Sequence, residues 1–130
     1  MNRSHKSGEK VLITYFLLVG LSMCGYWATQ LSGSYLADGV ATKIRESYIV
    51  WHVIAEIATG VLALISAFLM LSNNPLGLRL GLFTCGLLLY TGLNSIGWAQ
   101  LHDPGLLILY IIAALGAIYG FFYLLTREEL

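Results

Sequence analysis

Glu56 is the only formally charged side chain inside four long apolar stretches, residues 11–37, 47–78, 80–101 and 104–126, and His52 precedes it by four residues. Residues four apart stack on one face of a helix, so an imidazole and a carboxyl group lie side by side. Such a pair can share a proton and titrate as one coupled unit. It can also supply part of a ligand set for a divalent metal. A bare carboxylate at membrane depth costs on the order of 2.5–3.5 kcal/mol even on a lenient insertion scale. Glu56 must therefore face other helices, carry a proton or be paired.

The partners are expected on the third apolar stretch, where Gly86, Tyr90, Asn94 and Trp98 recur at four-residue spacing. If the second helix enters near Tyr48 and the third leaves near Gln100, depth follows from a rise of ~1.5 Å per residue. Glu56 then lies about 12 Å below the outer boundary, His52 about 6 Å, Asn94 about 9 Å and Tyr90 about 15 Å. Ser22, Tyr26 and Gln30 of the first helix fall at similar depths, and His102 and Asp103 sit at the mouth. Three chemistries compete. His52, Glu56, Tyr90 and Asn94 form a proton- or ligand-binding group in a pocket that opens outward between helices 2 and 3. Alternatively, Glu56 is a neutral acid bonded to Tyr90 or Asn94, fastening two helices. In the third, His52, Glu56, His102 and Asp103 bind a divalent metal, a weakly specific pattern. Haem ligation is disfavoured further, because no second histidine lies within a helix.

The elements that must position these groups are read from composition. The 130 residues are 58% hydrophobic and 11% charged, against about 25% charged in soluble domains. Mean hydropathy is +0.76. Only helices and closed barrels satisfy the backbone in lipid, and these runs are continuous, not alternating. Four transmembrane helices are expected, at about 11–31, 47–72, 75–99 and 104–126, in a single domain spanning 1–130. The fold class is all-α, an antiparallel up-and-down four-helix transmembrane bundle. Zero net charge argues against a nucleic-acid partner. No nucleophile–base arrangement is present, so an enzyme is not the expected reading, and no cofactor is implied.

Basic residues favour the cytoplasmic side. Arg3, Lys6, Lys10, Arg79 and Arg127 then lie inside, with Lys43 and Arg45 outside. Trp27, Trp51 and Trp98 all fall at the outer interface, where amphipathic rings settle. The expected location is the cell inner membrane, multi-pass, with both termini cytoplasmic. The first apolar run exceeds the roughly 7–15 residues of a signal-peptide core, so it is expected to stay as a helix. Asn74-Pro75 and Asp103-Pro104 both pair an N-cap residue with proline at the first helical position. The loop of residues 33–46 holds Leu36, Val40 and Ile44 at four-residue spacing, which fits a short interfacial helix or an ordinary loop.

Small residues mark packing faces: Ala55, Thr59, Ala63 and Ala67 on helix 2, Gly77, Gly81 and Cys85 on helix 3, and Ala113, Gly116, Ala117 and Gly120 on helix 4. The last set serves either a homodimer or packing within the chain. Cys24 and Cys85 read as small core residues. Tyr15, Tyr110, Tyr119 and Tyr123 read as packing and interface residues. A faint two-plus-two repeat pairs Gly20–Gly25 with Gly92–Gly97, and His52–Glu56 with Tyr110–Ala114.

Small multidrug-resistance transporters are similar in helix number and in carrying a membrane glutamate, but theirs lies in the first helix and the likeness is architectural only. The motifs His52-x-x-x-Glu56-x-x-Thr59-Gly60 and Leu89-Tyr90-Thr91-Gly92-Leu93-Asn94-Ser95-x-Gly97-Trp98 resemble those of small uncharacterised bacterial four-helix membrane proteins. That resemblance covers about a third of the chain and implies no activity. The functional expectation is a multi-pass protein in the lipid bilayer that binds or helps move a small solute, a lipid or a proton. The alternative is an accessory or assembly subunit of a larger membrane complex.

Overall fold

A computed structural model describes residues 3–32, 47–102 and 104–127. The suggested interfacial helix near Leu36, Val40 and Ile44 lies outside the described residues, as do Asp103 and the side chain of His102. Four helices follow one another: α1 (Arg3–Ser32), α2 (Ser47–Leu71), α3 (Pro75–His102) and, after a 3-10 turn at Pro104–Leu106, α4 (Leu107–Leu125). Each contains a stretch long and apolar enough to cross a membrane: Ser7–Thr29, Trp51–Leu71, Pro75–Gly97 and Pro104–Leu125. Neighbours in sequence pack against each other, and α1 closes on α4 less extensively.

The α2–α3 turn shows how two asparagines reverse the chain. Asn73 adopts a left-handed backbone with φ 55°, which asparagine tolerates better than most residues. The N–H groups of Asn73 and Asn74 donate back to the carbonyls of Met70 and Leu69 at 3.0 and 2.9 Å, closing α2 with the bond pattern of a Schellman motif. Asn74 then starts α3, its Oδ1 accepting the Leu76 N–H at 3.0 Å, and Pro75 needs no partner for an N–H it lacks.

The apolar core occupies the half of the bundle nearer the termini. Leu12, Phe16, Ala63, Ala67, Cys85, Ala117 and Leu124 are fully buried there. Ser66 and Thr84 bridge α2 and α3 inside it, their hydroxyls 3.1 Å apart. The approach of α1 to α4 rests on a reciprocal pairing of tyrosine with glycine. Tyr15 of α1 lies over Gly116 of α4, and Tyr123 of α4 lies over Gly8 of α1. The two pairs are separated by seven residues on each helix, two turns, so one antiparallel register satisfies both. Between them, Leu12 and Cys85 fill the space above Gly120. The Tyr15 hydroxyl donates to the Ala113 carbonyl at 2.5 Å. Gly116 and Gly120 are thus taken up by contacts within the chain.

α1 starts at Arg3, eight residues before its apolar run, because its polar first turns are held by the end of α4. Arg127 reaches Glu9 at 2.9 Å and the Tyr123 hydroxyl at 2.5 Å, with its guanidinium 5.1 Å from the Tyr123 ring centre. Burial works against the charge on Arg127, but the Tyr123 hydroxyl and the Glu9 carboxylate outweigh it and hold the guanidinium pKa above its ordinary value.

A Cβ at Gly120 would stand 2.7 Å from Leu12 Cδ1 and 2.8 Å from Cys85 Sγ, whereas one at Gly25 meets nothing within 4 Å. Gly120→Val should therefore destabilise the bundle by about 1–3 kcal/mol, and Gly25→Ala should leave it unchanged or slightly more stable. Denaturant unfolding in mild detergent, followed by circular dichroism, checks this. Equal stability of the two variants would contradict the α1–α4 packing.

Candidate functional site

The second half of the bundle has a polar centre, and helix crossings set it. α1 and α2 meet at Gly20 and Gly60, so closely that a Cβ on Gly20 would lie 2.8 Å from the Gly60 carbonyl oxygen. Trp27 stands two turns beyond Gly20 on α1, and Glu56 one turn beyond Gly60 on α2. The two backbones differ in level by about 4.5 Å, and the side chains close the gap, since each leans toward the N-terminus of its own helix and so toward the other. A crossing sets α2 and α3 as well. Glu56 is ten residues from Ser66, and Ser95 is eleven from Thr84, so the register fixed by the Ser66–Thr84 bridge places Ser95 opposite Glu56.

The carboxylate is enclosed by groups from three helices. Glu56 is 3% exposed. Its Oε1 accepts the Ser95 hydroxyl at 2.5 Å, and its Oε2 accepts the Trp27 indole N–H at 2.6 Å. His52 Nε2 lies 3.3 Å from Oε1. On the other side of the imidazole ring, Nδ1 lies 3.1 Å from Asn94 Nδ2. The His52 side chain is 19% exposed, and Asn94 is exposed. The path from buried carboxylate to bundle surface thus runs Glu56, His52, Asn94.

This path has two self-consistent hydrogen-bonding states. With the Asn94 amide N–H₂ facing the ring, Nδ1 is an acceptor, and the ring proton sits on Nε2, toward Glu56. A half-turn of the amide presents its oxygen instead, which accepts from a protonated Nδ1. The ring can therefore receive a proton on its exposed side and deliver one on its buried side, the shuttle property of imidazole.

Of the residues singled out in the sequence, His52, Glu56 and Asn94 come together. Tyr90 does not join them; it is 67% exposed. An α-helix advances about 100° per residue, so a four-residue stripe drifts about 40° per step around it. Along Tyr90–Asn94 the drift is enough to leave Tyr90 off the packed face, on which Thr91 and Ser95 are buried. Ser22 is exposed, Tyr26 packs edge-on against the Trp27 ring at 5.3 Å between centroids, and the Gln30 side chain lies outside the described residues. The sequence reading missed Ser95 and Trp27. Ser95 had a signal: it lies eleven residues, three full turns, from Thr84. Trp27 has no comparable signal: a place at the interface accounts for its ring and not for its N–H.

Among the described residues no three His, Cys, Asp or Glu side chains group closely enough to hold a metal ion. His52 and Glu56 are the only members of the suggested metal set whose side chains are described. An open groove lies elsewhere, along α3 and α4 in the apolar half.

Trp27→Phe keeps the ring and deletes the donor, leaving a buried carboxylate oxygen unsatisfied. It should destabilise the protein by about 1–3 kcal/mol. Ser95→Ala should do the same, and the double variant should be non-additive because both donors serve one carboxylate. Unfolding of the three variants in detergent measures this, and a Trp27→Phe protein as stable as wild type would remove the indole from the site.

No curated protein and no solved structure matches the chain. A family model does, across residues 6–129. With nearly the whole four-helix bundle covered by that match, the chain belongs to the family described as Domain of unknown function (DUF8058).

Proposed function

We propose that this membrane protein takes up and releases a proton at Glu56, through His52, and couples that exchange to movement of a small solute or lipid. It would stand in the cell inner membrane with both termini cytoplasmic, since basic residues gather at the termini end, which places the Glu56 site near the outer surface. The observation that supports this most is the carboxylate itself. It is buried in a candidate membrane span, yet it touches an imidazole that reaches the surface. Ionisable groups at membrane depth most often mark proton and substrate pathways.

The two carboxylate oxygens differ in what they tolerate. An indole N–H only donates, so Trp27 keeps Oε2 as an acceptor in either charge state. A serine hydroxyl both donates and accepts, so Ser95 can reverse its bond. The proton therefore goes to Oε1, the oxygen nearest His52. A proton enters His52 at Nδ1 while the Asn94 amide turns. The Nε2 proton then passes to Oε1, and Ser95 switches from donating to accepting. The first transfer makes the imidazole a cation, and the second returns it to neutrality with its proton on Nδ1, so that one proton in all has passed from the surface to Oε1.

The rival reading, an accessory subunit, draws support from the outer helices. Only 17% of the membrane-spanning window of α1 and of α4 is buried, against 44% for α2 and for α3, so their apolar faces are available to a larger complex. Stable isolation without a partner would weigh against it.

Infrared spectroscopy across a pH titration tests the proton reading. Wild type should show a protonated-carboxyl band that grows on acidification and is lost in Glu56→Gln. If no Glu56-dependent band appears at any pH where the protein stays folded, Glu56 is a hydrogen-bonding strut and the proposal fails.

A further inference from the structure

The groove along α3 and α4 is lined by Arg79, Leu82, Phe83, Gly86 and Leu87 of α3 and Phe121 of α4. Arg79 is the feature that the bundle itself leaves unexplained. It is exposed and lies within the candidate span Pro75–Gly97, four residues or about 6 Å from its start. Among the described residues no carboxylate lies within ion-pairing distance of it; the ion pairs there are His52–Glu56 and Arg127–Glu9. A guanidinium at this depth extends its stem along apolar surface and carries its charge to the headgroup level. Phosphate is the anion found at that level, and the planar guanidinium binds it through two parallel hydrogen bonds.

The rest of the groove continues from that point into the hydrocarbon region. Gly86 is exposed, and a Cβ built there meets nothing within 4 Å, so the missing side chain opens a channel on the surface of α3. Phe83 and Phe121 are 59% and 37% exposed and flank it. Arg79 to Gly86 spans about 10 Å along the helix, the upper part of an acyl chain. Arg3, Lys6 and Lys10 stand on the first turns of α1 at the same end of the bundle, where Glu9 is already paired with Arg127, and basic residues at a membrane surface favour anionic lipid.

We infer that this groove is a binding site for one anionic phospholipid, its phosphate on Arg79 and one acyl chain laid over Gly86 between Phe83 and Phe121. The site shares no residue with the Glu56 cluster. It stands or falls separately from the proton reading.

Native mass spectrometry of the full chain, delipidated in mild detergent and titrated with phosphatidylglycerol or phosphatidylcholine, tests it. Wild type should retain one phosphatidylglycerol with about tenfold preference over phosphatidylcholine. Arg79→Gln should lose the preference. Gly86→Leu fills open space without a clash, so it should keep the wild-type melting temperature and lose retention of phosphatidylglycerol. Glu56→Gln should bind lipid as wild type does. Retention of phosphatidylglycerol by a folded Gly86→Leu protein would overturn the groove. Equal retention of both lipids by wild type would overturn the charge recognition. Stabilisation by inorganic phosphate equal to that by phosphatidylglycerol would reduce the site to an anion contact and overturn the lipid assignment.

Discussion

A carboxylate removed from water has to recover its hydrogen bonds from the chain, and in a lipid-embedded bundle only other helices can provide them. Glu56 imposes that requirement here. It takes a hydroxyl from α3 and an indole N–H from α1, so two helices must hold a fixed register against α2. The Gly20–Gly60 crossing and the Ser66–Thr84 bridge set those registers. Both lie deeper in the bundle than the site, in or beside the apolar core. Precision at the polar end is thus inherited from packing at the other end, and small residues one to three turns away govern the distances around Glu56.

The two halves of the bundle are built differently. In the half near the termini, all four helices converge on Phe16, Cys85 and Leu124, and α1 meets α4 through alternating tyrosine and glycine. Among the described contacts between α1 and α4, none lies further toward the opposite end than Tyr15 with Ala113 and Gly116. Beyond that level α4 rests on α3, where Ala114 lies over Gly92, and the polar centre belongs to α1, α2 and α3. A close-packed core transmits strain and resists change. Placing the titratable pair outside the core leaves room for hydrogen bonds to rearrange without breaking the bundle.

Much of this was legible in the sequence for simple reasons. Four apolar runs and their lengths follow from lipid thickness. The His52–Glu56 contact follows from four-residue spacing on one helix, which no tertiary detail can undo. Asn94 followed from depth on the antiparallel neighbour. The remainder depended on rotation about helix axes, which composition does not encode. One residue along α3 is about 100° around it, enough to exchange Tyr90 on the exposed side for Thr91 on the buried one. The early start of α1 was hidden for a related reason. Its polar first turns carry no apolar signal, and they are ordered by Arg127 and Tyr123, more than a hundred residues away.

Ser95 and Trp27 also differ in kind, and this difference gives the site a direction. A donor-only indole pins one oxygen of Glu56 as an acceptor whatever its charge. A hydroxyl that can donate or accept makes the other oxygen reversible, and that oxygen is the one beside His52. Protonation at Oε1 therefore leaves the α1–α2 bond in place, though weaker once the charge is gone, and inverts the α2–α3 bond. Any conformational consequence of loading a proton falls first on Ser95 at the buried end of the path and on the adjoining Asn94 at its surface end, both on α3. α3 is also the helix that carries Arg79 and Gly86 along its other half. If lipid and proton act on one another in this protein, the shared element is α3, and coupling would be carried by rotation or tilt of that single helix between two packed neighbours.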